Sequence, residues 1–269
     1  MKIRVGFEIT YRLQQATPMV LTLHLHHSRT GDLLRPDRMQ FQPPLEGHAY
    51  RDGFGNWCTR IVAPAGKLVI TSDTVVQDSG QPDLVAPLAA QIPVESLPDE
   101  TLVFLLGSRY CETDRLSEIA WKLFGQTPTG WARVMAICQF VHQHITFGHQ
   151  FADSKKTAWD VYNGRGGVCR DFAHLGIALC RCMNIPARYC TGYLGDIGVP
   201  LTDAAMDFSG WFEAYLDGGW FTFDPRNLVP RIGRVLIARG RDAADVAIST
   251  TFGENTLEGF RVWTDEVAS

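Results

Sequence analysis

The sequence has no run of about 18 apolar residues that could cross a bilayer as a helix. Its opening, Met1-Lys2-Ile3-Arg4-Val5-Gly6-Phe7-Glu8, alternates apolar and polar residues and lacks the continuous apolar stretch of a signal peptide. A cytoplasmic location without membrane association is the expectation. Charge of one sign is also missing: 25 Lys and Arg stand against 29 Asp and Glu, for a net charge of −4, so no nucleic-acid face is expected. Arg226, Arg231, Arg234, Arg239 and Arg241 do cluster, which reads first as local pairing and loop anchoring. The 7 cysteines are odd in number and scattered, and Cys180, Cys182 and Cys190 lack Cys-x-x-Cys spacing. That pattern excludes a secreted disulfide framework and a zinc ribbon, and points to core thiols in a reduced compartment. There is no internal repeat and no low-complexity tract.

What is present divides into two parts. Up to about Val76, apolar residues recur with period two, as in Ile3, Val5, Phe7, Ile9 and Tyr11, with turn sequences such as Thr30-Gly31-Asp32 and Asp52-Gly53-Phe54-Gly55-Asn56 between the runs. This predicts a small antiparallel β domain over residues 1–95, whose last stretch, from about 78, is a Pro-, Asp- and Gln-rich connector. Residues 96–269 read as α+β. Helical periodicity predicts helices capped at Thr113 or Asp114 and at Thr129, then a central helix after Cys169 that ends at Asn184-Ile185-Pro186. Strands are expected over Ala187 to Leu194, Trp211 to Leu216 and Trp220 to Phe223, the last two joined by Asp217-Gly218-Gly219 as a hairpin.

The most informative stretch is Gly166-Gly167-Val168-Cys169-Arg170-Asp171-Phe172-Ala173. It puts a cysteine after a glycine turn at the start of a helix, where unpaired amide N–H groups and the helix dipole favour thiolate. Pro186-Ala187-Arg188, Phe208-Ser209-Gly210-Trp211-Phe212-Glu213-Ala214-Tyr215 and Trp220-Phe221-Thr222-Phe223-Asp224-Pro225 follow in order. Together these resemble the transglutaminase-like superfamily of cysteine enzymes, over about residues 100 to 265. The resemblance implies a papain-like α+β core preceded by a β-sandwich domain.

In that family a helix-start Cys is the nucleophile, a His opening a His-Ala-Trp strand is the base, and an Asp ending the next strand orients the His. Carried over, these positions are Cys169, Ser209 and Asp224, so a serine stands where the imidazole belongs. A hydroxyl cannot take a proton near neutral pH or hold a thiolate as an ion pair. The resemblance implies attack by Cys169 on a peptide or glutamine carboxamide and an acyl-enzyme resolved by water or an amine, with a peptide or protein as substrate. Its alternative is an inactive relative that binds a peptide or protein partner in the former cleft. Neither reading calls for a cofactor or a metal, and the calcium loops of animal transglutaminases have no counterpart in the sequence.

The remaining candidates are weighed against plainer roles. A Ser209–Asp224 hydrogen bond is the expected remnant of the family arrangement. Asp171, two residues into the helix, is expected to satisfy first-turn N–H groups. His174 lies about 140° round the helix from the cysteine and should point away from the thiol. His149, on a loop, can reach the cleft as a substitute base, and Phe147, Gln150 and Trp159 are candidates to complete an oxyanion hole with the Cys169 amide. In His24-Leu25-His26-His27 two imidazoles share a strand face, but no carboxylate or cysteine stands at ligand spacing. A solvated strand face is therefore expected there, not a metal site.

Overall fold

The computed structural model describes residues 1–201 and 206–267. Strict alternation makes β1 (Lys2–Leu13) the spine of the first sheet: Ile3, Val5, Phe7 and Ile9 are fully buried while Lys2, Arg4 and Glu8 face out. Each such large apolar side chain contributes about 1.5–3 kcal/mol on burial. A one-residue slip of β1 would turn the whole set to solvent. β1 is flanked by β14 (Asn255–Val267) and β6 (Gly66–Gln77), with β3 (Gln40–Gln42) beyond β6. In the second sheet β2 (Thr17–Leu21) lies between β13 (Ser249–Thr251) and β5 (Trp57–Ala63), with β4 (His48–Arg51) beyond β5. All pairings in both sheets are antiparallel. The last two strands, which come from the 96–269 segment, thus hydrogen-bond to the first two of the chain.

The central layer is a third antiparallel sheet in the order β11 (Gly219–Phe223), β10 (Ser209–Leu216), β9 (Ala187–Tyr193), β12 (Val235–Gly240). Its hairpin turn places both Asp217 (φ 47°) and Gly218 (φ 79°) in the left-handed region, the conformation a two-residue type I′ connection requires. Among the described residues five α-helices accompany it: α1 (Asp99–Leu102), α2 (Thr113–Phe124), α3 (Trp131–His144), α4 (Ala158–Gly164) and α5 (Cys169–Cys182). Every residue of α5 from Asp171 onward is buried. It packs on β10 and β9 with one face and on α2, α3 and α4 with others. A Cβ on Gly176 would come within 2.8 Å of the Phe212 ring on β10, so glycine there sets how closely helix and sheet approach. A short parallel pair, β7 (Thr146–Phe147) with β8 (Gly166–Gly167), leads the chain into α5. Among the described residues no helix is long and apolar enough to cross a membrane.

Several local expectations are corrected. The caps of α2 and α3 are Glu112 and Gly130 rather than Thr113, Asp114 or Thr129, and neither makes a side-chain cap bond. The Glu112 carboxylate instead accepts the Trp159 N–H at 3.0 Å. The histidine stretch is not a solvated strand face. β2 ends at Leu21, His24 Nδ1 lies 3.2 Å from an Asp37 carboxylate oxygen, and His26 is buried. On the side that alternation alone assigns to water, His24 meets Asp37 and His26 lies within reach of the Arg239 charge. The connector is irregular but strapped down, because Asp83 receives the guanidinium of Arg234 at 2.8 Å and the backbone N–H of Arg231 at 2.9 Å.

Candidate active site

Cys169 is the first residue of α5, half-buried at the floor of a cleft of about 690 Å³. The glycines before it are there for space. A Cβ on Gly166 would meet the Phe151 ring at 2.7 Å, and one on Gly167 would meet Asp171 Cβ at 2.7 Å. Asp171 is fully buried; it accepts the Val168 N–H at 2.9 Å and pairs with Arg170 at 2.9 Å. It thus fills the first-turn role expected of it, which holds the cysteine's backbone in place.

The sulfur sits between opposing influences. Burial pushes the thiol pKa up, the Gly210 N–H and the Arg226 charge pull it down, and Asp207 and Asp224 push it up again; the net direction is upward. The resting proton stays on sulfur, directed at the Phe208 carbonyl oxygen at 4.0 Å. Position 210 has room for no side chain, since a Cβ there would stand 2.5 Å from the Tyr189 hydroxyl oxygen.

Of the three residues expected from the family pattern, the structure brings two to the cleft. Ser209 opens β10 and lines the cleft with Cys169, whereas Asp224 lines a separate, smaller and mostly apolar pocket behind it. The expected Ser209–Asp224 hydrogen bond is absent among the described residues. Asp224 Oδ1 accepts the N–H groups of Arg226 and Asn227, both at 3.1 Å, and Oδ2 accepts Asn227 Nδ2 at 2.7 Å and Arg234 Nη2 at 2.9 Å. These four bonds fasten the loop between β11 and β12.

Asp207 was not singled out in the sequence, and it stands ahead of β10, outside any strand pattern. Phe208 packs against Phe7, Tyr193 and Phe260, with ring centroids 6.1, 5.3 and 5.8 Å away. Asp207 precedes β10, and its Oδ1 accepts the Phe208 N–H at 2.6 Å. Asp207 and Ser209 both line the cleft. Although Asp207 has solvent on one side, burial on the other pushes its carboxyl above the usual range, opposed by the Phe208 N–H and by the charge of His149. His149 also lines the cleft, edge-on to Phe147. Of the oxyanion candidates only Phe147 lines it; Trp159 instead stacks under Arg115 on α4, with the guanidinium 4.3 Å from its ring. His174 is buried away from the thiol, its Nε2 accepting the Ala243 N–H at 3.1 Å.

A papain-like core with a helix-start thiol beside an open cleft, carried on a β-sandwich, defines a class of cysteine protein. The model of the transglutaminase-like superfamily matches residues 118–225. A protein of Cytophaga hutchinsonii, named in its crystal structure a "Putative Cysteine Protease", is 33% identical and superposes with a TM-score of 0.86 over 100% of this chain and 91% of that one. The chain belongs to the transglutaminase-like superfamily. It is also 26% identical to an uncharacterized protein of Mycobacterium leprae over 230 residues, 82% of this chain and 81% of that protein. An uncharacterized protein of Mycobacterium tuberculosis is 28% identical over 251 residues, 82% of this chain and 78% of that one.

Proposed function

We propose that the protein acts on amide bonds of a peptide or protein through Cys169, and that Asp207, backed by His149, takes the proton that the family's imidazole would take. The observation that supports this most is the convergence of Cys169, Asp207 and His149 on one cleft. The thiol proton passes to the Asp207 carboxylate as sulfur bonds to the carbonyl carbon. The same proton then goes to the leaving amine as the C–N bond breaks, leaving a thioester. Water or an amine attacks the thioester, and the thiol is restored. A carboxyl with a raised pKa suits both halves of this exchange better than an ordinary aspartate, and Ser209 remains a neighbour without an acid–base role.

Incubation with p-nitrophenyl acetate and a panel of amide peptides, followed by peptide mass spectrometry, tests the reading. The expected result is an acyl adduct on Cys169 and its loss in Cys169→Ala, with Asp207→Asn slowing turnover by about 10²–10⁴-fold. Unchanged turnover in Cys169→Ala ends the thiol mechanism; unchanged turnover in Asp207→Asn ends the role of Asp207 alone.

The rival reading, an inactive relative that binds a peptide or protein partner in the cleft, is favoured by the raised thiol pKa and by the use of Asp224 as a loop fastener. It predicts that Cys169 alkylates no faster than the other six cysteines at any pH.

A further inference from the structure

The loop between β11 and β12 carries three arginines, and they are treated differently. Arg234 is neutralised by Asp83 at 2.8 Å and Asp224 at 2.9 Å. Arg231 pairs with Asp196 at 3.6 Å and donates to the Gly195 carbonyl at 2.8 Å. Arg226 lines the cleft with its guanidinium 4.0 Å over the Phe147 ring, and no carboxylate among the described residues forms an ion pair with it. Arg170, the other cation near the thiol, is held by Asp171.

A guanidinium over a ring, with no carboxylate paired to it, has N–H donors left for a ligand, and their fork matches the two oxygens of a carboxylate. The backbone of Arg226 is anchored as well, since its N–H donates to Asp224 Oδ1 at 3.1 Å and the preceding Pro225 carbonyl accepts from His142 at 3.0 Å. The side chain is therefore presented from a fixed base, close enough for its charge to act on the sulfur.

We infer that Arg226 is the carboxylate-binding residue of the cleft, so that the substrate of Cys169 carries a carboxylate beside the carbonyl the thiol attacks. This rests on the thiol reading above. It also accounts for Asp224 in its observed place: by holding the loop it holds Arg226.

Iodoacetate and iodoacetamide carry the same electrophilic carbon and differ in charge, so the ratio of their rates at Cys169 is independent of how much thiolate is present. The expected result is a ratio about tenfold higher in the parent than in Arg226→Gln, with Arg226→Lys between them, as charge-assisted pairing predicts. A ratio unchanged by Arg226→Gln overturns the inference while leaving the thiol mechanism standing. If neither reagent labels Cys169, the thiol mechanism fails, and calorimetric titration with the monoamide of glutaric acid against glutaramide decides Arg226 separately. Binding of the monoamide that is lost in Arg226→Gln supports the carboxylate site; equal binding of both compounds, or of neither, overturns it.

Discussion

The helix side and the strand side of the cleft are held by different means. On the helix side the nucleophile position depends on main-chain packing: Gly166 against Phe151, Gly167 against Asp171, and Gly176 against Phe212. On the strand side the two positions that the family pattern assigns to acid–base chemistry depend on single side chains. Ser209 stands at the start of β10, and the carboxylate of Asp224 is bonded to Arg234 and Asn227. A position defined by packing constrains many residues together. A role defined by one side chain depends on that side chain alone, and a buried carboxylate such as Asp224 is paired with a cation because an unpaired buried charge costs several kcal/mol.

The sharpest way to break this comparison is at Arg234, which is buried between two carboxylates. Arg234→Leu should cost about 3–5 kcal/mol in urea unfolding, because it strands Asp83 and Asp224; a loss under about 1 kcal/mol would mean that the loop is held by other contacts.

A smaller effect should appear on acidification. The His26 pKa is lowered to about 3 by burial and by Arg239, His27, Arg188 and Arg51. Its backbone N–H donates to Leu236 on β12, so it supports the strand side. The sign follows from linkage. The unfolded chain binds a proton at His26 below about pH 6.5 and the folded chain does not until near pH 3, so stability is full above 6.5 and falls by about 1.4 kcal/mol per unit below it. His174, on the helix side, is also held well below its ordinary pKa by burial and loses stability in the same direction. Urea unfolding of His26→Gln and His174→Gln between pH 7 and pH 5 should flatten the slope once each. A slope unchanged by His26→Gln would show that its imidazole titrates normally.

The smallest effect is expected from placing an imidazole at position 209. Ser209→His should raise acyl turnover by less than about tenfold, since general-base catalysis needs an oriented base and the Asp224 oxygens are engaged by Arg234 and Asn227. A larger gain would show that Asp224 exchanges partners readily, and the contrast between the two sides would be one of residue identity alone.

Much of this was legible in the sequence. The alternation in β1, the period of α5 and the Asp217-Gly218 turn are local patterns, and each corresponds to an observed element. The capping role of Asp171 was legible because it acts three residues from Val168. The histidine stretch misled because Leu23 and Leu25 continue the buried alternation past the end of β2, while His26 on the other side is buried as well. Covering of that kind by distant residues leaves no periodic signature. Asp207 escaped notice because it stands ahead of β10, outside any strand pattern, and only the packed fold brings it to the cleft.

By itself the sequence determined where the thiol stands: a glycine pair, a cysteine and an amphipathic run specify a helix start through backbone sterics and periodicity, which act over a few residues. Tertiary structure alone decided the charges around it. That Asp224 went to Arg234, that Arg226 was left over an aromatic ring and that Asp207 and His149 reached the cleft depend on distances between segments far apart in the chain. Charges pair according to proximity in the folded state, and proximity is settled only when the sheets and helices have packed.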